Sequence, residues 1–427
     1  MTITKNAVVV GGSLAGLMHG IMLRDNGYSV TILEQEPSTH RQGLDAGIRV
    51  GPDFIQFMKQ YDRVKREYGI MATHAHVLDK NETIKFKVPW NAALTSWGLV
   101  WSILRANFDG QSSEAVPNPP PLPKDAPEAR YRSGARVTDV QELNEVIRIQ
   151  FEDILNGETQ VVEADIVIAA DGSMSSVRKI VCPSISCEYA GYVTWRGTVP
   201  EYYVDKEAHG ILGKNLTIHR MHCSHFVIYV IPTDEGQITP GKRLINWVWY
   251  HELPAGSADL KETMTDIHGK VHQGTVPREL IRPEVWAKQK ALGISKTPAC
   301  IAQLLERTKS PFVTKIYENT SPRAVFMHGK LVLVGDALVK TRPHSALSTN
   351  QAAYDCLALE SVLKGRASMN QWESKVLGYG HRLFLWSRIL GNFQQGYKLA
   401  LLWSIWKYVV GFVGLKLGLL PWRSKME

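Results

Sequence analysis

The chain has 427 residues, 44% of them hydrophobic and 21% charged, a balance that excludes intrinsic disorder and collagen-like repeats and predicts two or three domains with a large core. Its 49 Lys+Arg against 41 Asp+Glu leave a formal charge of +8 spread along the chain. That charge favours anionic small molecules and argues against nucleic acid as a partner.

The polar residues 1–6 lack the charged start, apolar core and cleavage site of a secretory signal, so the mature chain is expected to begin near Met1. Residues 7–10 are a short, fully apolar run. After a Gly-rich turn, Leu14, Leu17, Met18, Ile21 and Leu23 recur at helical spacing, and Gly27 is placed to end the helix. Residues 29–34 read as a second strand parallel to the first, because only a crossover helix separates them. Residues 110–127 hold six prolines and form a surface loop. Strands are expected over 136–142, 146–151 and 164–170, with Asn156-Gly157 as a tight turn and Asp171-Gly172 at the tip of the last. From 188 to 320 the aromatic and aliphatic runs 226–231 and 244–250 predict antiparallel strands of a second sheet. The buried-strand pattern returns at 331–334, ends in Gly335-Asp336, and precedes a helix over 348–363.

Gly11-Gly12-Ser13-Leu14-Ala15-Gly16 sits between a strand and a helix, with Glu34 at the tip of the next strand. This is the dinucleotide fingerprint in its required setting. Gly11 permits the tight turn and Gly16 close helix–strand packing, while the helix N-terminus offers N–H groups to a pyrophosphate. Gly11, Ser13, Ala15 and Gly16 are therefore cofactor contacts, and Glu34 accepts from ribose hydroxyls. Ser13 replaces the middle glycine, so its side chain crowds the phosphate while its hydroxyl offers a donor. A glycine turn in an ordinary α/β sheet is the bland competitor.

Two further motifs carry a resemblance. Residues 164–178, with Asp171-Gly172 and Ser175-Ser176-Val177-Arg178, and residues 331–337 with Gly335-Asp336-Ala337, followed by Arg342-Pro343-His344 and a helix through Asn350, resemble the flavin-dependent aromatic hydroxylases, the group A flavoprotein monooxygenases. Residues 189–197, 246–250 and 342–344 place the likeness nearest their 2,6-dihydroxypyridine hydroxylase-like branch. The resemblance implies FAD as cofactor, with Asp336 on the ribityl chain and Asp171 near both FAD and a passing NADH or NADPH. It implies further FAD contacts at Arg41, Gly47, Arg105, Pro343, Ser348 and Asn350, the last two through main-chain N–H groups at the flavin pyrimidine edge. Arg105 as a solvated helix charge and Gly47 as a turn are the bland alternatives. The implied reaction consumes NAD(P)H and O2, forms a flavin C4a-hydroperoxide, and hydroxylates or epoxidises an aromatic or heteroaromatic small molecule, in the manner of secondary metabolism. His344 is the candidate for activating substrate, with an unperturbed pKa of about 6.5; beside Pro343 it is equally readable as structural.

His219, His222 and His225 are expected on one strand, where 219 and 225 share a face and 222 does not, so no metal is expected. Five scattered cysteines, Cys182, Cys187, Cys223, Cys300 and Cys356, form no CxxC pair and predict neither disulfides nor zinc. A reducing, cytoplasmic compartment follows. Of Tyr192, Trp195, Tyr229, Trp247 and Trp249, strand alternation allows about half to face a substrate cavity.

The fold expected is α/β: a Rossmann-type FAD-binding domain over 1–75, 98–187 and 321–385, an interleaved mixed or antiparallel sheet forming a substrate domain over 76–97 and 188–320, and a C-terminal helical apolar tail over 386–427. Within that tail, residues 399–420 are interrupted by Lys407 and Lys416 and by glycines. Packing over the substrate domain ranks first for this segment, peripheral membrane contact second and a membrane span third. Two rival functions remain: a flavin-dependent halogenase, whose Trp-x-Trp element is approached at 247–249, and a non-catalytic Rossmann-like carrier of a hydrophobic ligand.

Overall fold

The computed structural model describes residues 5–38 and 46–416; Arg41 and residues 417–420 of the apolar segment lie outside the described residues. β1 (Lys5–Val10), α1 (Leu14–Asp25) and β2 (Tyr28–Glu34) make the first βαβ unit, with β1 and β2 parallel and Val10 beside Leu33. Gly27, at φ +89°, turns the chain out of α1 into β2. Then come β3 (Gly47–Val50), α2 (Pro52–Tyr61), β4 (Ile70–Leu78), β5 (Ile84–Ser96), α3 (Trp97–Asp109) and β6 (Ala129–Ser133). No helix or strand lies between α3 and β6, in keeping with the prolines there.

β7 (Ala135–Leu143), β8 (Val146–Asp153) and β9 (Thr159–Ala164) form a small antiparallel sheet, before β10 (Ile166–Ala169) and α4 (Ser176–Val181). β11 (Glu188–Pro200), α5 (Lys206–Leu212), β12 (Leu216–Met221), β13 (Ser224–Ile231), β14 (Leu244–Glu252), α6 (Ala258–Met264), β15 (Thr275–Val276), α7 (Pro283–Lys296), α8 (Ala299–Arg307) and β16 (Phe312–Thr320) follow. The chain closes with β17 (Val325–Phe326), β18 (Leu331–Leu333), β19 (Val339–Lys340), α9 (Ser348–Leu363), α10 (Met369–Gln395) and α11 (Lys398–Lys416).

The dinucleotide-type sheet runs β17-β18-β10-β1-β2-β6, parallel from β18 to β6. β18 pairs with β10, so the sheet left at Ala169 resumes some 160 residues later in the sequence. All four residues of β10 are buried, as expected of a strand covered on both faces. The second sheet runs β15-β16-β11-β14-β13-β12-β4-β5-β3 and is antiparallel except where β12 meets β4. Helices α5 to α8, which the aromatic strand pattern concealed, pack on one face of it: Trp195, Trp247 and Trp249 are buried there with Ile301, Leu304 and Leu305.

Two expectations need correcting. His219 and His225 do not share one strand: His219 lies on β12, His225 on the neighbouring β13, and His222 in the turn between them. Cys223, at φ +50°, carries that turn without any Gly, Asn or Pro to announce it. The apolar C-terminal segment is also not one tail from residue 386, because α10 runs to Gln395 and the chain breaks at Gly396, φ +78°, before α11 begins.

Candidate functional site

The three motifs meet at the C-terminal ends of the parallel strands. Gly11 adopts φ +100°, and a Cβ there would stand 2.5 Å from Ala170 O, so the first turn lies directly against the tip of β10 and Asp171. A Cβ on Gly16 would meet Gly11 O at 1.8 Å, which is why α1 can start so close to β1. The Gly335 turn sits on the other side, its would-be Cβ 3.2 Å from the Ala15 methyl. At the start of α1 the first intrahelical bond is Leu17 N–H to Ser13 O, and Ser13 makes no side-chain cap. The N–H groups of Leu14, Ala15 and Gly16 are thus free of intrahelical acceptors, as an anion site requires.

Glu34 is held at the tip of β2, its Oε2 accepting from Gly12 N–H (2.6 Å) and its Oε1 from Glu36 N–H (2.9 Å). Gly12 O in turn accepts from Trp101 Nε1–H and Tyr131 O–H. Arg105 is buried rather than solvated: its guanidinium lies 3.7 Å over the Tyr131 ring and pairs with Asp109 at 2.8 Å. Asp171 Oδ2 accepts from Ser176 Oγ–H and Val177 N–H, both at 3.1 Å, while its buried Oδ1 has no hydrogen-bond partner. Asp336 is part-exposed and paired with Lys340 Nζ at 2.5 Å. Asp355 on α9 fixes the turn beneath it by accepting from Gly335 N–H at 2.9 Å.

Pro343 opens a single 3-10 turn, Pro343–Ser345, and Ala346 follows in the left-handed region at φ +52°. Ser348 then begins α9, whose N-cap Leu347 supplies no side-chain cap. Asn350 is committed elsewhere. Its Oδ1 accepts from Asp53 N–H (2.8 Å) and Phe54 N–H (3.3 Å), capping α2, and its Nδ2 donates to Asp53 and Tyr379. Only its main chain is left for a cofactor. Gly47 is not a turn either: in β3 its N–H donates to Asn246 Oδ1 and its carbonyl accepts from Tyr229 O–H, and a Cβ would stand 2.6 Å from the Tyr229 ring.

The face of the second sheet turned away from α5 to α8 carries a dense aromatic group. His225 stacks on Tyr250 (4.2 Å between centroids, 9°), His344 lies 4.3 Å from Tyr250 and 5.2 Å from His225, and Tyr192 stands edge-on to His344 at 5.6 Å. Of the five aromatics considered for a cavity, Tyr192 and Tyr229 face this side and the three tryptophans face the other. Burial pushes His225 down to about 3, and burial, with the repulsion that a proton would meet from a protonated His225 and from Arg342, holds His344 well below the imidazole range. Burial likewise raises Tyr192 and Tyr250, and Tyr229 to about 12. Burial thus favours the neutral form of His344, whose buried Nε2 has no hydrogen-bond partner. Arg342 beside it pairs with Glu318 at 2.8 Å and donates to Asn392 of α10, so the loop is tied to the C-terminal helices.

These features have known counterparts. A family model described as FAD binding domain-like matches residues 189–318. The 2,6-dihydroxypyridine 3-monooxygenase of Paenarthrobacter nicotinovorans is 29% identical over 384 residues, 88% of each chain. The solved structure of 2,6-dihydroxypyridine-3-hydroxylase from Arthrobacter nicotinovorans superposes with a TM-score of 0.79 at 27% identity, over 92% of this chain and 93% of that one. Over most of its length the chain is similar to FAD-dependent aromatic hydroxylases. The 6-hydroxynicotinate 3-monooxygenase of Bordetella bronchiseptica is a further relative, 24% identical over 83% of this chain and 82% of its own. This hydroxylase is therefore an enzyme, an oxidoreductase using FAD, which removes the carrier reading. The halogenase element approached at Trp247-Val248-Trp249 is broken by Tyr250-His251-Glu252, and both tryptophans are buried in the core of the second sheet.

Among the described residues no group of three His, Cys, Asp or Glu is arranged to hold a metal ion. Sequence reasoning passed over Tyr250, Arg196, Thr194 and Tyr131. The first three were legible in principle, since strand parity in β11 and β14 puts them on the face opposite the tryptophans.

Proposed function

We propose that this hydroxylase inserts oxygen into a hydroxylated nitrogen-heteroaromatic small molecule, using NADH or NADPH as a transient reductant. The relationship to the dihydroxypyridine monooxygenase over 88% of both chains carries this reading. Bound FAD supplies acceptance of hydride from the nicotinamide and activation of O2.

The fit of the residues to FAD supports the assignment of contacts. The first turn of α1, from Ser13 to Gly16, takes the pyrophosphate; Glu34 takes the ribose hydroxyls, and Asp336 takes the ribityl chain while sharing its charge with Lys340. The orphaned Asp171 Oδ1 marks a polar position beside them. Arg105, fixed on Tyr131 behind Gly12, adds positive potential, and the start of α9 at Ser348 presents N–H groups to the flavin ring. The remaining residues shape the substrate side. His344, His225, Tyr250 and Tyr192 form an aromatic wall that excludes water, and neutral His344 keeps an acceptor nitrogen for a substrate hydroxyl or amide proton. Turnover of a panel of hydroxypyridines and hydroxybenzoates, followed by substrate-stimulated NAD(P)H oxidation, tests the reading; stimulation only by non-aromatic compounds overturns it.

The exposed face of α11 supports a second contact, with a lipid surface. Leu399, Leu402, Trp403, Trp406 and Val409 are each more than half exposed, and Lys407 lies over Trp403. Apolar and indole side chains beside lysine suit a membrane interface. Among the described residues no helix is long and apolar enough to cross a membrane.

A further inference from the structure

The second sheet is incomplete at one end. β12 begins at Leu216, opposite Ala75 of β4, and its next residue, Thr217, lies beside Ile228 of β13. β4 already starts at Ile70, and β13 runs on to Ile231. Because β4 is parallel to β12 and β13 antiparallel to it, both neighbours outrun the strand between them at the same end. A cavity of about 310 Å³ occupies the gap. Ile70, Met71, Ala72, Leu94 and Val230 give it an aliphatic lining, to which residues 213–215, leading into β12, are added. Ala72, Leu94 and Val230 are buried, and no lining residue belongs to the three cofactor motifs.

The rest of the lining is polar and is organised by one carboxylate. Glu201 is buried and accepts from Arg243 Nε–H (2.8 Å), Arg243 Nη2–H (2.6 Å) and Gly241 N–H (2.8 Å), with His209 Nε2 at 3.0 Å. Burial alone would raise this carboxyl, but the bonds from Arg243 and His209 bring it down to about 2, so it is ionised. The Arg243 guanidinium is thus fixed along one edge, and its Nη1 makes no hydrogen bond among the described residues. A Cβ on Gly213 would stand 2.8 Å from His209 Nε2, so glycine there leaves room for the imidazole. Arg243, His209, Lys214 and Asn215 all line the cavity. Glu201 balances Arg243, whereas Lys214 is exposed and has no hydrogen bond or ion pair among the described residues, which leaves the mouth positive. No Asp, Glu, Phe, Tyr or Trp is among the described lining residues. Small-molecule sites of roughly 300–1,000 Å³ combine apolar walls with a few placed polar groups, and this cavity has that make-up at the small end of the range.

We propose that this cavity is a second binding site, separate from the cofactor motifs, and that it takes a short aliphatic carboxylate, its chain on Ile70, Ala72, Leu94 and Val230 and its carboxylate between Arg243 Nη1 and Lys214 Nζ. The aliphatic walls offer a chain the stabilisation of burial but offer a ring no aromatic face to stack on. The pre-set guanidinium and the lysine select for negative charge at the open end. The site goes beyond the hydroxylase reading and does not depend on it.

The test is calorimetric titration of the FAD-loaded enzyme with acetate, butyrate and hexanoate, and with hexanamide as the neutral counterpart of the last. Hexanoate should bind roughly tenfold more tightly than hexanamide, the gain expected of a charge-assisted contact at a partly open site. Affinity should also rise about threefold to fourfold for each methylene added between acetate and hexanoate. Lys214→Glu should weaken hexanoate about tenfold or more and leave hexanamide unchanged. The double variant Glu201→Gln, Arg243→Met removes both members of the buried pair together, so that neither charge is stranded, and should bring the ratio of hexanoate to hexanamide affinity close to one. If that variant does not fold, Lys214→Glu decides, because the Lys214 side chain holds nothing else in place. Three results would each overturn the proposal: no binding of hexanoate up to ~10 mM, acetate and hexanoate binding alike, as a superficial anion site would give, or hexanoate affinity unchanged in Lys214→Glu, which would put the ligand elsewhere on the enzyme.

Discussion

Glu34 and Asp336 do different work although both are carboxylates set to receive sugar hydroxyls. Glu34 is buried and oriented by two main-chain N–H groups, whereas Asp336 is part-exposed and held by Lys340. Charge-assisted hydrogen bonds contribute about 1.5–3 kcal/mol, so Asp336→Ala and Glu34→Gln should each weaken FAD binding ~10–100-fold. Flavin fluorescence on dilution measures this, and full FAD retention in Asp336→Ala would remove the residue from the cofactor site. For His344 the environment overrides the residue's own chemistry. Burial beside His225 and Arg342 keeps it neutral, so coupling of NAD(P)H oxidation to product should be flat between about pH 6 and 8, and His344→Ala should raise the peroxide fraction at every pH in that range. A wild-type inflection near 6.5 that vanishes in the variant would contradict this. The motif singled out His344 as a candidate, but its neutrality was not legible, because it depends on burial and on His225 from a strand far away in sequence. The burial of Arg105 was not legible for the same reason: nothing local announces the Tyr131 ring beneath its guanidinium.

Elements with a strict period were legible, and those without one were not. The helix expected over about 348–363 is α9, Ser348–Leu363, which follows the Pro343 turn. The β12–β13 hairpin escaped because its turn rests on Cys223, a residue with no turn signature. Helices α5 to α8 escaped because the strongest apolar signals around them are the strands they cover. Between elements, the decisive contacts are long-range. Glu318 of β16 accepts from Arg342 and from Arg388 of α10, joining the second sheet, the His344 loop and the C-terminal helices. Removing one member of such a buried group strands the others, so Glu318→Ala should cost about 3–5 kcal/mol, read from denaturant unfolding; a loss below about 1 kcal/mol would show the network to be slack. α11 divides by face. Asn392 donates to Ala400 O and Ser404 Oγ on the packed side, while Trp403 and Trp406 stack on each other in solvent. The double variant Trp403→Ser, Trp406→Ser should lower co-sedimentation with anionic lipid vesicles without lowering stability. Wild-type protein that stays in the supernatant with such vesicles would return α11 to a purely structural element.

The described residues build two large sheets threaded through one another, with a small three-stranded sheet beside them, and the cofactor motifs sit where the two large sheets meet. β3 lies just past the dinucleotide fingerprint in sequence, yet it pairs with β5 in the larger sheet and lays Gly47 on Asn246 and Tyr229. The alternation of the two units along the chain was visible from the return of a buried-strand pattern at residue 331; this pairing was not, since β3 has only four residues. Burial of neutral imidazoles also gives the fold a direction of pH sensitivity. His19 and His225 are pushed down to about 4 and about 3. Unfolded chains bind protons at histidine from about pH 6.5 downward while the folded chain does not, so the stability held above that pH is lost as pH falls toward the folded values, at up to about 1.4 kcal/mol per unit for each histidine. Thermal unfolding should therefore move to lower temperature between about pH 6.5 and 4, and an unchanged midpoint over that window would contradict the burial of these groups. The function assigned to the whole rests on FAD, NAD(P)H and O2 acting together on an aromatic ring. Its most direct test is turnover under isotopically labelled O2 in ordinary water, with the product's mass measured alongside NAD(P)H consumed: one labelled oxygen atom per product molecule is the predicted result, and product oxygen derived only from water would contradict the account.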